Sequence, residues 1–195
     1  MIGFNDAVQA LVDEGWVTLP GYLDTAEVAA LRADIDARRA AFHAAGIGRQ
    51  QDWQRNDRIR GDDVLWLEHS DTLAVPVLGQ LEAMRQAFNE TLFLGLAEFE
   101  AHFAVYPAGA FYKRHLDQHR AADTRVVTFV LYLNEVWQAQ DGGQLRLYLD
   151  DPQTIDIEPQ GGTLVLFMSD RFEHEVLPAT RERRSMTGWF RRRAL

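Results

Sequence analysis

Residues 112–117 of this 195-residue chain read Tyr-Lys-Arg-His-Leu-Asp, and the prediction of fold and site starts from them. Side chains two positions apart in an extended strand point to the same face of a sheet. If residues 111–117 are extended, the imidazole of His115 and the carboxylate of Asp117 project to one side. A second histidine, His174, follows the apolar run 163–168 and is the best candidate for a third group on that face.

Two histidines and one carboxylate on a common face leave the other coordination positions of a metal open. This arrangement suits non-haem Fe(II) oxygenases. A His-x-Asp pair alone is weak evidence, because a polar turn at the end of a strand has the same pattern. His119 would share the face of His115 in an extended segment, so geometry leaves it open as a rival ligand.

Short segments rich in β-forming residues follow one another from Phe99 onward, separated by turn signals that contain glycine or proline. We expect strands near residues 99–106, 111–117, 126–133, 144–149, 153–157, 162–168, 173–177 and 186–192. Many short strands with regularly spaced turns are typical of a sandwich or a jelly roll.

Helical periodicity dominates the first half of the chain. A helix is predicted from Phe4 to about Gly15, followed by a short strand at 16–19. A capping box at Asp24 predicts a long helix that ends near Ala45. Polar residues 49–63 predict a loop, and residues 73–93 predict a second amphipathic helix.

Helices followed by strands predict an α+β fold, with a jelly-roll core at about residues 96–193 braced by a helical region at about 1–95. The sequence has no repeats or linkers, so we expect a single domain over residues 1–195.

The composition excludes several classes of function. The net charge of −9 disfavours a general phosphate-binding surface, so no nucleic-acid partner is expected. The absence of cysteine excludes disulfides, thiolate metal sites and a cysteine nucleophile. The N-terminus does not resemble a signal peptide, and the apolar runs are far shorter than the ~20 residues that span a bilayer. We expect a soluble cytoplasmic protein with no membrane partner.

Several motifs in combination resemble a known family. They are the segments at 58–62, 106–107, 112–117, 127–134, 142–146, 156–159 and 174–178, with an arginine, Arg183, nine residues after His174. Over residues 55–193 they look like the 2-oxoglutarate and Fe(II)-dependent dioxygenases, specifically the prolyl 4-hydroxylase-like branch that includes the animal hypoxia-type enzymes and their bacterial relatives. The resemblance implies a double-stranded β-helix, which is a jelly roll.

The resemblance also implies the iron ligands, which are His115, Asp117 and His174. The family pattern passes over His119, which is more commonly an exposed loop histidine. Asp117 could alternatively cap a turn. The remaining histidines, His43, His69 and His102, have no partner at ligand spacing and are expected to be structural or surface groups.

Arg183 is the expected anchor for the distal carboxylate of 2-oxoglutarate, because a guanidinium fork binds a carboxylate through two hydrogen bonds. Arg181 and Arg184 are competitors. Strand alternation places Arg183 on the same face as Ser185 and Thr187, which supply polar groups, and the resemblance selects the same arginine.

Further roles come from the resemblance. Tyr132 looks like the family tyrosine whose hydroxyl assists the same carboxylate, although an ordinary core tyrosine fits the pattern too. Tyr106 looks like a pocket tyrosine near the metal. Leu145, Val130 and Trp189 look like apolar wall residues, for which core and pocket roles are hard to distinguish.

Arg125 and Asp62 resemble a charged pair that fastens a mobile loop over the substrate channel in the hypoxia-type enzymes. An exposed pair contributes only about 0–1 kcal/mol to stability, so we expect its value to lie in the position of the loop.

The implied activity is hydroxylation of a prolyl residue in a protein, such as a translation factor, with O2 and 2-oxoglutarate as co-substrates and ascorbate as an additional reductant. One alternative is the same chemistry on another side chain or on a small molecule. Another is a non-catalytic jelly-roll module or oxygen sensor that keeps the metal. Zinc hydrolysis is weaker, because no additional carboxylate stands at a spacing typical of a general base.

Overall fold

The computed structural model describes residues 4–46, 58–68, 71, 74–118, 124–149 and 152–194. Within these residues, the first half of the chain contains three α-helices and three strands. They are α1 (Phe4–Asp13), β1 (Trp16–Leu19), α2 (Thr25–Ala37), β2 (His43–Ala44), β3 (Asp63–Trp66) and α3 (Val75–Leu92). Eight strands follow. They are β4 (Glu98–Tyr106), β5 (Tyr112–His115), β6 (Arg125–Tyr132), β7 (Leu145–Tyr148), β8 (Thr154–Ile157), β9 (Leu164–Met168), β10 (His174–Val176) and β11 (Arg183–Arg191).

The strands form two antiparallel sheets. The larger sheet has the order β1-β9-β6-β11-β4-β3-β2, and the smaller sheet has the order β5-β10-β7-β8. Apolar residues of both sheets, such as Val130, Phe167, Leu147 and Val176, pack into one cluster, so the sheets face each other. This architecture is the jelly roll that the sequence predicted.

The central strands of the large sheet are apolar on both faces because helices cover the outer face. On β4, Phe99, Ala101 and Phe103 pack in the same cluster as the buried residues of all three helices. The alternate residues Ala104 and Tyr106 belong instead to the cluster between the sheets. The helices therefore pack on the outer face of the large sheet, and its inner face is left to form a site.

The predicted long helix is too long. α2 begins at the predicted capping box of Asp24, but it ends at Ala37, about eight residues before the predicted end at Ala45. A short 3-10 turn follows, and His43 then pairs with Val64 of β3. Pairing with a strand that is distant in sequence overrides the local helical periodicity here.

Other boundaries also differ from the prediction. β3 was not predicted, since its first residue falls in the polar segment 49–63, yet it pairs with β4 with Val64 opposite Ala104. β5 ends at His115, so Asp117 lies just outside the strand. β11 begins at Arg183, three residues before the predicted start.

Within the described residues, none of the helices has the length and apolar character needed to cross a membrane.

Candidate functional site

A cavity of about 330 Å³ lies between the two sheets. Its walls come from β3, β4, β6 and β11 of the large sheet and from β5, β7 and β10 of the small sheet. Most of the predicted site residues line it, namely His115, Asp117, His174, Arg183, Thr187, Tyr106, Leu145, Val130, Trp189 and Arg125. The fold thus brings together residues that are far apart in the chain.

His115, Asp117 and His174 meet at one place in this cavity, where their ligand atoms all lie within 4.8 Å of one another. Nε2 of His115 and Nε2 of His174 each lie 3.6 Å from an oxygen of Asp117. The register of β10 on β5 sets His174 directly opposite His115. Asp117 reaches the same place through a bend after the strand, not through strand alternation as predicted.

Backbone carbonyls orient both imidazoles. Nδ1 of His115 lies 2.8 Å from the Lys113 carbonyl oxygen, and Nδ1 of His174 lies 3.2 Å from that of Phe172. A carbonyl oxygen only accepts, so each Nδ1 carries a proton, and in the neutral imidazole Nε2 is then the nitrogen with a lone pair directed at the cluster.

The third ligand is oriented by a hydroxyl pair. The Thr128 hydroxyl donates to Oδ2 of Asp117 at 2.8 Å and lies 2.8 Å from the Ser169 hydroxyl, and all three residues are buried. This hydrogen bond fixes the plane of the carboxylate from behind. Outer contacts of this type tune the affinity of metal sites.

The protonation states suit a cation. Burial lowers the pKa of His174 to about 4, so its imidazole is neutral at pH 7. Burial raises the pKa of Asp117, but the neighbouring His174 and His115 outweigh burial and hold that pKa well below its usual range. Neutral imidazole and ionised carboxylate are the states in which these side chains bind metals.

Arg183 lies fully buried at another part of the cavity, with only 1% of its surface exposed. Its Nε donates to the Gly143 carbonyl oxygen at 2.9 Å, and within the described residues the guanidinium has no acidic partner. A buried cation without a counter-charge is costly, so the site favours an anionic ligand. Ser185 and Thr187, whose hydroxyls are 3.3 Å apart, line the same wall as predicted from strand alternation.

Tyr132 lies beside this arginine rather than on the cavity wall. The Cζ atom of Arg183 is 5.1 Å from the centroid of the Tyr132 ring and 5.2 Å from that of Tyr106. The Tyr132 hydroxyl is buried beside the Arg183 guanidinium, and its proton finds no acceptor among the described residues. Burial raises the pKa of Tyr132 to about 12, so the hydroxyl keeps its proton as a donor. A cation and an unused donor side by side fit a carboxylate ligand.

The expected pairing of Arg125 with Asp62 is not what the structure shows. Asp62 accepts two hydrogen bonds from Arg60, at 2.6 and 2.9 Å, and Arg125 bonds to Glu100 at 3.3 Å. Arg60 rather than Arg125 pairs with the Asp62 carboxylate, because Arg60 is only two residues away on the same segment. Residues 49–57 of the polar segment that was predicted to be a loop lie outside the described residues.

Two histidines that the sequence assigned to structural or surface roles line the cavity. His43 contributes to its wall, and so does His102, which is 2% exposed. The His102 ring lies 4.8 Å from that of Trp66 and 5.6 Å from that of Trp189. His102 and Tyr106 lie an even number of residues apart on β4 and so share one face of the strand. This alternation could have identified His102 as a cavity residue. His69 and His119 lie outside the described residues.

A stack of side chains beside the three ligand residues was not predicted. The rings of Tyr112 and His115 lie 3.7 Å apart and almost parallel, and the Arg60 guanidinium lies 4.7 Å from the Tyr112 ring centroid. The stack limits the rotation of the His115 ring.

The chain is similar to a known protein family and to solved structures. The family model for the 2OG-Fe(II) oxygenase superfamily matches residues 101–191. Among solved structures, a prolyl-4-hydroxylase from Pseudomonas putida is 44% identical, with a TM-score of 0.89, and the match covers 98% of this chain and 100% of that one. A prolyl hydroxylase from Trichoplax adhaerens, solved with a fragment of the hypoxia-inducible factor oxygen degradation domain, is 28% identical, with a TM-score of 0.86 and coverage of 96% and 88%.

Curated relatives include the hypoxia-inducible factor prolyl hydroxylase of Caenorhabditis elegans, 29% identical over 94% of this chain and 27% of that protein. Human Egl nine homolog 1 is 35% identical over 68% of this chain and 33% of that protein. The chain therefore spans about a third or less of the length of these animal relatives.

The Thr128 hydrogen bond generates a prediction about metal affinity. Replacing Thr128 with valine keeps the shape of the side chain but removes the donor to Asp117, so we expect divalent metal to bind about 10- to 100-fold more weakly. Isothermal titration of the metal-free protein with Mn²⁺ measures this change. Thr163→Val, at a buried threonine that does not line the cavity, is the matched control. Equal Mn²⁺ affinity in Thr128→Val and the wild type would show that the hydroxyl does not support the ligand.

Proposed function

Because the chain belongs to the 2OG-Fe(II) oxygenase superfamily and matches a prolyl-4-hydroxylase over almost its whole length, we propose that it hydroxylates a prolyl residue in a protein substrate with 2-oxoglutarate as co-substrate. The family membership gives the reaction class. The prolyl target rests on the bacterial neighbour and on the peptide bound by the Trichoplax enzyme.

The cluster of His115, Asp117 and His174 fits Fe(II). Two imidazole nitrogens and one carboxylate oxygen are the donor set that non-haem oxygenases use, and three protein ligands leave positions for a bidentate co-substrate and O2. When bound, the ferrous ion supplies the redox chemistry that joins decarboxylation of 2-oxoglutarate to hydroxylation of a C–H bond. The chain itself orients the ligands through Lys113, Phe172 and Thr128.

The buried Arg183 is the single observation that carries the co-substrate assignment. Its charge has no acidic partner in the described part of the chain, and the unused Tyr132 hydroxyl is adjacent. A dicarboxylate satisfies both groups at one end and presents its other end to the metal ligands in the same cavity. A module that only bound metal would gain nothing from this pocket.

The apolar walls keep water away from the reacting groups. Val130, Leu145 and Trp189 line the cavity and are nearly fully buried. In a site of low dielectric constant, the attraction between Arg183 and a carboxylate is stronger than in water. These residues thereby raise the affinity for the co-substrate.

The mouth of the cavity suits a prolyl ring. Trp66 lines the cavity and is 45% exposed, so its aromatic face is available to an incoming chain. Tyr112, on the small sheet, lines the same cavity with its ring stacked on that of His115. A prolyl residue has an apolar ring and no amide donor, which aromatic surfaces accept without leaving a polar group unpaired.

Tyr132 provides a test in which stability and affinity change in opposite directions. Tyr132→Phe removes a buried hydroxyl that lacks a partner, so the ligand-free protein should become more stable by about 1 kcal/mol. The same change removes a donor to 2-oxoglutarate, so its dissociation constant should rise about 2- to 10-fold. Urea denaturation and titration of the Mn²⁺-loaded protein measure the two effects.

Tyr148→Phe is the matched control, because the Tyr148 hydroxyl already donates to Glu175 at 2.7 Å. It should not stabilise the protein and should leave 2-oxoglutarate binding unchanged. If Tyr132→Phe leaves the affinity for 2-oxoglutarate unchanged, Tyr132 has no part in the pocket.

The reaction is tested by succinate formation from 2-oxoglutarate in the presence of prolyl peptides and Fe(II). We expect at least one prolyl peptide to stimulate turnover and to gain the mass of one oxygen atom, and the same peptide with alanine in place of proline to have no effect. His174→Ala should abolish turnover because a metal ligand is lost. Stimulation that is equal with proline and alanine peptides would contradict prolyl hydroxylation while leaving the oxygenase class intact.

A further inference from the structure

The two groups of the carboxylate pocket, Tyr132 and Arg183, lie on neighbouring strands at the place where those strands part. Tyr132 is the last residue of β6, and it pairs with Ser185, which is two residues after Arg183 on β11. Any shift in how β11 meets the end of β6 therefore changes the distance between the Tyr132 hydroxyl and the Arg183 guanidinium.

The next step of this ladder is irregular. The Leu133 amide donates to the Arg184 carbonyl oxygen at 3.0 Å, as a regular antiparallel pair requires. In a regular pair, the Arg184 amide would donate in return to the Leu133 carbonyl oxygen. It donates instead to Oδ1 of Asn134 at 2.7 Å. The Leu133 carbonyl oxygen accepts from Nη1 of Arg32 on α2 at 3.2 Å. A side-chain amide thus replaces a backbone carbonyl at the point where β11 enters the sheet.

The other end of the Asn134 side chain holds a third segment. Its Nδ2 donates to the Pro159 carbonyl oxygen at 2.7 Å, and the residue is only 2% exposed. The turn that follows Pro159 packs tightly on the same junction, since a Cβ atom at Gly161 would lie 1.9 Å from the Asn134 carbonyl oxygen. The turn also bonds to both backbone groups of Tyr132, at 2.9 Å each.

We propose that Asn134 is a positioning residue for 2-oxoglutarate, an inference that rests on the proposed function. Asn134 does not line the cavity and touches no reacting group. It acts through Arg184, whose amide it holds, and so sets where the preceding residue, Arg183, presents its guanidinium relative to Tyr132. Without the side chain of Asn134, the backbone amide of Arg184 is left to pair with the Leu133 carbonyl oxygen, and the start of β11 moves.

The remaining contacts of this region do not replace Asn134. The Arg184 side chain reaches outward, to Asp36 at 2.8 Å and to Glu182 at 2.7 Å. These bonds fix the outer surface of β11. Arg183 itself is fastened on the inside by its bond to the Gly143 carbonyl oxygen. Neither of these contacts holds the backbone at the start of β11. The hydrogen bond from the Arg184 backbone amide to Oδ1 of Asn134 does.

Asn89 offers a matched control. It makes the same two kinds of hydrogen bond, from Nδ2 to the Leu96 carbonyl oxygen at 2.8 Å and from the Leu96 amide to Oδ1 at 2.7 Å. It joins the end of α3 to the segment before β4 and does not line the cavity. Asn89→Ala therefore removes equivalent bonds away from the proposed pocket.

The experiment compares Asn134→Ala with Asn89→Ala by three measurements: thermal unfolding, titration with Mn²⁺, and titration of the Mn²⁺-loaded protein with 2-oxoglutarate. We expect both variants to unfold at lower temperature. Only Asn134→Ala should weaken 2-oxoglutarate binding, by about 10-fold or more, as is typical when an outer support of a site is removed. Its Mn²⁺ affinity should match that of the wild type, since the metal ligands lie on other segments.

Equal 2-oxoglutarate affinity in the wild type and Asn134→Ala overturns the proposal and gives Asn134 a purely structural role. If Asn134→Ala does not fold, Asn134→Asp carries the test, because it keeps Oδ1 for the Arg184 amide and replaces the donor to the Pro159 carbonyl oxygen with a second acceptor, which is expected to lower stability. Wild-type affinity for 2-oxoglutarate is then expected, and a loss with Mn²⁺ binding intact overturns the proposal. A wild-type protein that fails to bind 2-oxoglutarate contradicts the proposed function instead.

Discussion

A guanidinium buried without an acidic partner in the described part of the chain is the feature on which the site depends. Removing a charge from water is costly unless another charge or several hydrogen bonds compensate it. Arg183 donates from Nε to a backbone carbonyl, which compensates only part of this cost. The fold tolerates this cost because the sheets, helices and turns around β11 determine the position of the arginine. The uncompensated charge makes the cavity selective for a carboxylate, and the metal ligands in the same cavity make a chelating carboxylate the best ligand.

The jelly roll supplies this arrangement through its layers. Helices cover the outer face of the large sheet, so its inner face can carry polar groups such as Arg183, Ser185 and Thr128 without exposing them to bulk water. The small sheet closes the other side and brings His115 and His174 into register. One sheet thus positions the anchor for the anion and the other positions the imidazoles. Their separation is set by the packing between the sheets, which side-chain clusters hold fixed.

Much of this could be predicted because the information is local. Strand alternation placed Arg183, Ser185 and Thr187 on one face, and the motif around His115 and Asp117 indicated a metal site. The predictions that were wrong or missing depend mostly on contacts between residues that are distant in the sequence. The early end of α2, and the strand β3, depend on the pairing of His43 with Val64. The partners of Asp62 and Arg125 depend on competition among nearby charges. His102 was missed because its role comes from the two tryptophans that flank it, which lie on other strands.

Anaerobic titration with Fe(II) and then 2-oxoglutarate is the sharpest test of this site, because the visible charge-transfer band of the chelate reports the metal and the co-substrate together. We expect the wild type to develop this band, His174→Ala not to develop it, and Arg183→Ala to develop it only at a much higher concentration of 2-oxoglutarate. Both variants giving the wild-type spectrum at the wild-type concentration would contradict the account.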